Sequence, residues 1–121
     1  MKLLSLFSGC GAMDLGFKQV GYKNILSIEK DKTACKTLSS NKSSEKIINE
    51  DIKKLCLKKY NGDIDIVIGG PPCQPFSQTR HYLLNKANGF SDLENGHTVA
   101  EFFRIIDEVS PPFFLFENVE G

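Results

Sequence analysis

Short apolar runs alternate with amphipathic stretches along this chain, and no other feature limits its fold as strongly. Lys2–Phe7 is apolar and enters a Ser-Gly-Cys-Gly turn, the pattern of a buried strand. Asp14–Val20 has helical spacing, with Leu15 and Phe17 available for packing and Gly21 at the C-cap position. Asn24–Glu29 reads as a second strand, Lys32–Leu38 as a helix capped by Asp31, and Ser39–Ser44 as a polar loop. Lys46–Ile48 is a short third strand, Ile52–Tyr60 a helical turn or two, and Asp65–Ile68 a buried fourth strand. Gly69–Asn95 is rich in Pro, Gly and Asn, and loops of that length usually carry function. Thr98–Val109 is an amphipathic helix with Val99, Phe102, Phe103, Ile106 and Val109 on or near one face. Phe113–Phe116 is a fifth strand. Strands alternating with helices predict an α/β fold, a parallel sheet covered by helices on both faces.

The 121 residues give room for one domain. Nine Phe, with many Ile, Leu and Val, supply apolar area to bury, which excludes a disordered chain. No apolar run approaches the ~18 residues of a membrane-spanning helix, so no membrane partner is expected. The run in MKLLSLFSGCG is too short for a signal peptide. The expected setting is the cytosol, with reduced thiols. Cys10, Cys35, Cys56 and Cys73 form no CxxC and no His-rich spacing accompanies them, so no metal site is predicted. Apart from Cys73, these cysteines read as small buried hydrophobes. Net charge is zero, so bulk charge does not mark a nucleic-acid-binding domain. Residues 1–60 carry 12 lysines and 6 acids, whereas residues 61–121 carry 3 basic and 9 acidic side chains. The lysines read as solvated helix faces.

Phe7-Ser8-Gly9-Cys10-Gly11 lies between the first strand and the first helix. Its glycines permit a sharp turn and a close ligand approach. A dinucleotide fingerprint would have a third glycine at position 14, where this chain has Asp14. An acid at a helix start repels a pyrophosphate, so the turn points to a ligand without phosphates. Glu29 ends the second strand twenty residues after Gly9. A carboxylate there can accept hydrogen bonds from both ribose hydroxyls. Asp51, after the third strand, can accept from an adenine amino group. A nucleoside-bearing cofactor without phosphates suggests S-adenosylmethionine.

Gly69-Gly70-Pro71-Pro72-Cys73-Gln74-Pro75-Phe76-Ser77 follows the fourth strand. The prolines fix backbone angles and remove donors, so Cys73 is presented from a stiff loop rather than packed inside. Ligands of open α/β sheets bind at the carboxyl ends of strands. Phe116-Glu117-Asn118-Val119 closes the fifth strand. If the fourth and fifth strands are neighbours, about 4.8 Å apart, Cys73 and Glu117 face one cleft.

These segments resemble, in order, the motifs of the bacterial cytosine-C5 DNA methyltransferases. FSGCG with MDLGF resembles the family's cofactor turn, IEKD its ribose acid, EDI its adenine acid, GGPPCQPFS its nucleophile loop and ENV its glutamate strand. The resemblance implies a Rossmann-like methyltransferase fold with strand order 3-2-1-4-5. Residues 1–121 would be the N-terminal part of the catalytic domain. Phe7, Ser8, Gly9, Cys10, Gly11, Glu29, Lys30, Asp51, Ile52 and Pro72 would hold S-adenosylmethionine. Cys73 would be the nucleophile, Glu117 the acid at the cytosine ring, and Asn118 a brace for the Pro-Cys loop. Gln74, Phe76, Ser77, Gln78 and Arg80 would approach duplex DNA around a flipped cytosine. The setting would be the bacterial cytosol, in a restriction-modification system.

Two departures stand out. Ala12 replaces a further glycine, and LENGHT (Leu93–Thr98) lacks the arginine often found before its Gly. The chain ends before the family's arginine strand, target-recognition domain and terminal cofactor segment. The expectation is therefore a fragment, inactive alone, or one piece of a split enzyme completed by a C-terminal polypeptide. Other readings are a tRNA cytosine-C5 methyltransferase of the same fold and a plain nucleotide-binding domain with a buried, inert Cys73.

Overall fold

The computed structural model describes residues 1–72 and 97–118. β1 (Lys2–Leu6), β2 (Lys23–Glu29), β3 (Ile47–Asn49), β4 (Ile66–Gly69) and β5 (Phe113–Phe116) form one sheet. Its order is β3-β2-β1-β4-β5, and every neighbouring pair is parallel. This is the predicted topology. α1 (Ala12–Gln19), α2 (Lys32–Asn41) and α3 (His97–Val109) are the helices among the described residues.

The period of two along each strand sorts the core. Leu4 and Leu6 of β1 join Leu26, Ile28 and Val67 beneath Phe102, Ile105 and Val109 of α3. Leu3, adjacent to Leu4 in β1, faces the other way and packs with Ile66, Ile68 and the α1 residues Met13 and Phe17. The central strands are thus apolar on both faces, as parallel strands between helices must be.

Several predicted boundaries move. α2 runs three residues into the predicted loop and ends at Asn41. There Ser40 bonds back to the Lys36 carbonyl at 3.0 Å, and the left-handed Lys42 (φ 48°) stops the helix. Ile52–Tyr60 forms two short 3₁₀ turns, Ile52–Lys54 and Lys58–Tyr60. On α3 the buried stripe is Thr98, Phe102, Ile105 and Val109. The predicted face is rotated from this one, and Phe103 is 43% exposed. Of the cysteines among the described residues, Cys35 is buried, whereas Cys10 and Cys56 are exposed, because both lie in turns between elements rather than on a packed face. β5 forms an edge of the sheet, and Phe113, Phe114 and Leu115 are exposed on it.

Gly69 at the end of β4 sits under this packing. A Cβ there would lie 2.7 Å from the Leu6 carbonyl oxygen and 2.9 Å from the Phe102 ring. Backbone cannot yield as a flexible side chain can. Gly69→Ala is expected to destabilise the fold by about 1–3 kcal/mol, the usual cost of overpacking. Urea unfolding followed by circular dichroism checks this. An unchanged midpoint would mean that the β1–β4 contact is looser than described.

Candidate active site

Because all five strands run the same way, their carboxyl ends share one edge. Phe7 follows β1, Glu29 ends β2, Asp51 lies just past β3, Gly70 and Pro72 follow β4, and Glu117 follows β5. A cleft of about 540 Å³ opens along this edge, within the size range of small-molecule sites. Phe7, Glu29, Lys30, Asp51, Ile52 and Pro72, all expected at the cofactor, line it. Ser8, Gly9, Cys10 and Gly11 do not line it; their part is to shape the turn behind Phe7.

That turn is built from left-handed residues. Phe7, Gly9 and Gly11 have φ of 52°, 55° and 85°. For a bulky aromatic this is an unusual conformation. At Gly11 the requirement is also spatial, since a Cβ would lie 2.4 Å from a Leu38 methyl and 2.8 Å from the Ser43 hydroxyl. Glu29 locks the arrangement. One carboxylate oxygen accepts from the Gly9 N–H at 2.7 Å, and the other from the Asp31 N–H at 2.8 Å. Each oxygen keeps a second lone-pair direction. Asp51 accepts from the Lys53 N–H at 3.0 Å and pairs with Lys30 at 3.3 Å. The Lys53 N–H and then Lys30 hold its carboxyl below the usual carboxylate range, against some desolvation, so it is an ionised acceptor.

Asp14 corrects the sequence reading. It does not face a ligand at the helix start but is 0% exposed. It accepts from the Ser5 hydroxyl, from Ser27 at 2.8 Å and from Asn24 at 3.0 Å. Burial pushes its carboxyl above the usual range, against the pull of these donors. Asp14 is thus an internal acceptor rather than an exposed charge at the helix start, and the cleft's own lining carboxylates are Glu29, Asp31, Glu50 and Asp51.

Beside Gly70 and Pro72, which line the cleft while Glu117 does not, β4 and β5 are neighbours, with Gly69 opposite Phe116. The Glu117 N–H donates to the Gly69 carbonyl at 3.0 Å. Its carboxylate lies so near Gly70 that a Cβ there would be 2.9 Å from Oε2. Glu117 is exposed and Asn118 half-buried. Cys73, Gln74, Phe76, Ser77, Gln78 and Arg80 lie outside the described residues.

The sequence reading missed Arg104. From α3 it donates to Glu101 and Glu108, both at 2.7 Å, and to the Ile52 carbonyl at 2.9 Å. Glu108 in turn accepts from the Leu57 N–H at 2.7 Å. This clamp ties α3 to the turn that carries Asp51. The signal was present in Glu101, Arg104 and Glu108, an acid three residues before a base and another four after it. Burial pushes the Glu108 carboxyl up, but the Leu57 N–H and Arg104 outweigh it, and the net direction is downward. Glu108 therefore stabilises the fold above its ordinary value of 4.5, and that contribution is lost as pH falls through its lower folded value. Glu108→Gln is expected to cost about 1–3 kcal/mol at pH 7. The difference from wild type should shrink as pH drops below that range. Denaturant titrations from pH 7 to pH 3 test it; a difference independent of pH would remove Glu108 from the clamp.

No helix among the described residues is long and apolar enough to cross a membrane. No group of three or more potential ligands that could hold a metal ion occurs among them.

Comparison with known proteins fits this geometry. Residues 1–121 match the family described as C-5 cytosine-specific DNA methylase. The chain is 44% identical to the Type II methyltransferase M.PspPI of Psychrobacter sp., over 98% of this chain and 27% of that protein. It is 41% identical to the Type II methyltransferase M.AquIA of Picosynechococcus sp., over 99% of this chain and 49% of that one. A crystal structure from E. coli, described as a prophage-encoded DNA modification methyltransferase, superimposes with a TM-score of 0.74 at 32% identity. That match covers 100% of this chain and 32% of the other. The chain spans about a quarter to a half of the length of the curated relatives it matches. With its matched residues running from Met1 to Gly121 and its fold shared, the chain belongs to the C-5 cytosine-specific DNA methylase family.

Proposed function

We propose that residues 1–121 form the N-terminal, cofactor-binding and nucleophile-bearing part of a DNA cytosine-C5 methyltransferase domain. The observation that carries this is the position of Glu117, whose carboxylate lies against Gly70, three residues before Cys73. Pro72, between them in sequence, lines the same cleft as Phe7, Glu29 and Asp51. The family description and the E. coli structure's title support a DNA substrate, and the relatives' Type II designation goes with a restriction-modification setting. A bacterial cytosol, which keeps the thiol reduced, goes with that setting. The activity is proposed for the complete protein, in which the remaining length that the relatives carry is supplied by the same chain or a second polypeptide.

The cleft suits S-adenosylmethionine. It offers an aromatic wall in Phe7 and two carboxylates spaced along it, and Glu29 and Asp51 retain accepting directions for ribose hydroxyls and an adenine amino group. Lys30 and Ile52 flank the adenine end. The glycine turn from Ser8 to Gly11 fixes the backbone behind Phe7. The bound cofactor supplies an electrophilic methyl group.

Cytosine C5 is a weak nucleophile, and Cys73 makes it stronger. Its thiol loses a proton and the thiolate adds to C6. Electron density moves toward C5 and N3 as it does so. Glu117, carrying a proton or sharing one with the ring, hydrogen-bonds at N3 and relieves that charge, help worth about 10²–10⁴ in rate. The exposed carboxyl needs the docked base over it to leave water. In the adduct C5 would take the methyl that a bound sulfonium supplies, the S–CH3 bond breaking to leave a neutral thioether; loss of the C5 proton to water would then expel the Cys73 thiolate and restore the ring. Asn118 braces the Pro-Cys loop. Cys73 is reached only by a base outside the duplex stack, so Gln74, Phe76, Ser77, Gln78 and Arg80 are assigned to the DNA around a flipped cytosine.

Cys73→Ser in the complete protein is expected to abolish methyl transfer to duplex DNA and to leave cofactor binding intact. Wild type, but not this variant, should form a stable adduct with a 5-fluorocytosine duplex, visible as a shifted band under denaturing conditions. Turnover by the serine variant would overturn the nucleophile assignment, and transfer to tRNA instead of DNA would reassign the substrate. Glu29→Ala is expected to weaken S-adenosylmethionine binding by about 1–3 kcal/mol, read by calorimetry. An unchanged affinity would take Glu29 out of the site.

A further inference from the structure

Behind the cleft wall runs a line of buried hydrogen bonds. It begins at the Ser8 hydroxyl, which donates to the Ser5 hydroxyl at 2.8 Å. Ser5 donates to one carboxylate oxygen of Asp14. The other oxygen accepts from Ser27 and Asn24 of β2. Ser5, Asp14, Asn24 and Ser27 are all buried, Asp14 completely. The relay therefore joins β1, β2, α1 and the cofactor turn inside the protein. It ends next to Phe7, the bulky residue held at φ 52°. A left-handed aromatic costs energy and persists only where its surroundings fix it. Its chain neighbour Ser8 is held through its N–H to the Ile28 carbonyl at 3.1 Å and through its hydroxyl, whose nearest acceptor is the Ser5 hydroxyl at 2.8 Å, with the Ser5 and Ile28 carbonyls farther off at 3.2 and 3.4 Å.

We infer that Asp14 is a positioning residue: through Ser5 and Ser8 it holds Phe7 in its left-handed conformation, so that the ring forms the wall of the cofactor cleft. Asp14 touches nothing in the cleft; it acts at the far end of two hydroxyls. A carboxylate suits the position because it donates nothing and gathers three donors, which obliges Ser5 to point its proton inward and leave its oxygen free for Ser8. An amide at position 14 would keep an accepting oxygen for one side of the line only and turn N–H groups toward the donors on the other. The inference rests on the proposed cofactor role of the cleft, but the placement of Phe7 can be read without any ligand.

The test uses the protein labelled with 4-fluorophenylalanine, the Phe7 signal being identified by its loss in Phe7→Leu. Ser5→Ala removes the middle of the relay and leaves Asp14 its donors on β2, so it provides a reading even if Asp14→Asn does not fold. In Ser5→Ala, and in Asp14→Asn where it folds, the Phe7 fluorine signal should shift and broaden while that of the distant, exposed Phe113 stays. S-adenosylmethionine affinity should fall about five- to tenfold, the equivalent of roughly one hydrogen bond. In the Phe7→Leu background the Ser5→Ala loss should vanish. An unmoved Phe7 signal, or an equal loss of affinity with and without the ring, would overturn the inference. If the signal moves but wild type binds no S-adenosylmethionine, the positioning stands and the cofactor reading fails.

Discussion

Parallel pairing is the constraint from which the site follows. In an antiparallel sheet, alternate strand ends would point away from one another. Here five strands, all in one direction, deliver Phe7, Glu29, Asp51, Pro72 and Glu117 to the same edge from widely separated parts of the chain. None of these side chains is placed by its sequence neighbours alone. Parallel strands need helices across both faces to bury them, so the apolar stripe of α3 and the Met13–Phe17 face of α1 are conditions for the cleft as well as for stability. The tight approach of Gly69 to Leu6 and Phe102 shows how closely β4 must lie for Gly70 to reach Glu117.

Within that frame Glu29 has a double part. Its oxygens already accept the N–H groups of Gly9 and Asp31, so a residue expected to grip a ligand first grips its own turn. The two roles are compatible, since each carboxylate oxygen can accept twice. The consequence is that the acid is preorganised: its orientation is settled before any ligand arrives, and the entropy of fixing it is not charged to binding. Asp51 follows the same logic, capping its own 3₁₀ turn while facing the cleft.

The sequence made legible those features that depend on local pattern. The parallel α/β class followed from alternation and the strand order from resemblance, the Asp31 cap from its side-chain chemistry, and the tight turn after β1 from its glycines. The hidden features depend on direction in three dimensions. Asp14 sits at a helix start, where an acid commonly interacts with the helix dipole or a ligand, yet one residue's rotation about the helix axis turns it inward onto Ser5 and Ser27. The rotated stripe of α3 is the same kind of error, because Val99 and Phe103 are as apolar as the residues that were buried. Arg104 was overlooked because its most informative partner, the Ile52 carbonyl, is a backbone atom far away in the chain. Backbone acceptors carry no sequence signal.

Arg104 also ties α3 to the turn on the far side of the cleft. Pro72 and Thr98 both line it, and they flank the segment that carries Cys73. Thr98 belongs to α3, whose second turn holds Arg104 and, through it, the carbonyl beside Asp51. A displacement of α3 along its axis would therefore move residue 98 and the Asp51 side of the cleft together. Helices packed on a dense core shift as rigid bodies rather than deform. Glu101 and Glu108, which hold the guanidinium on either side, thus fix how firmly α3 is tied to the turn beside Asp51.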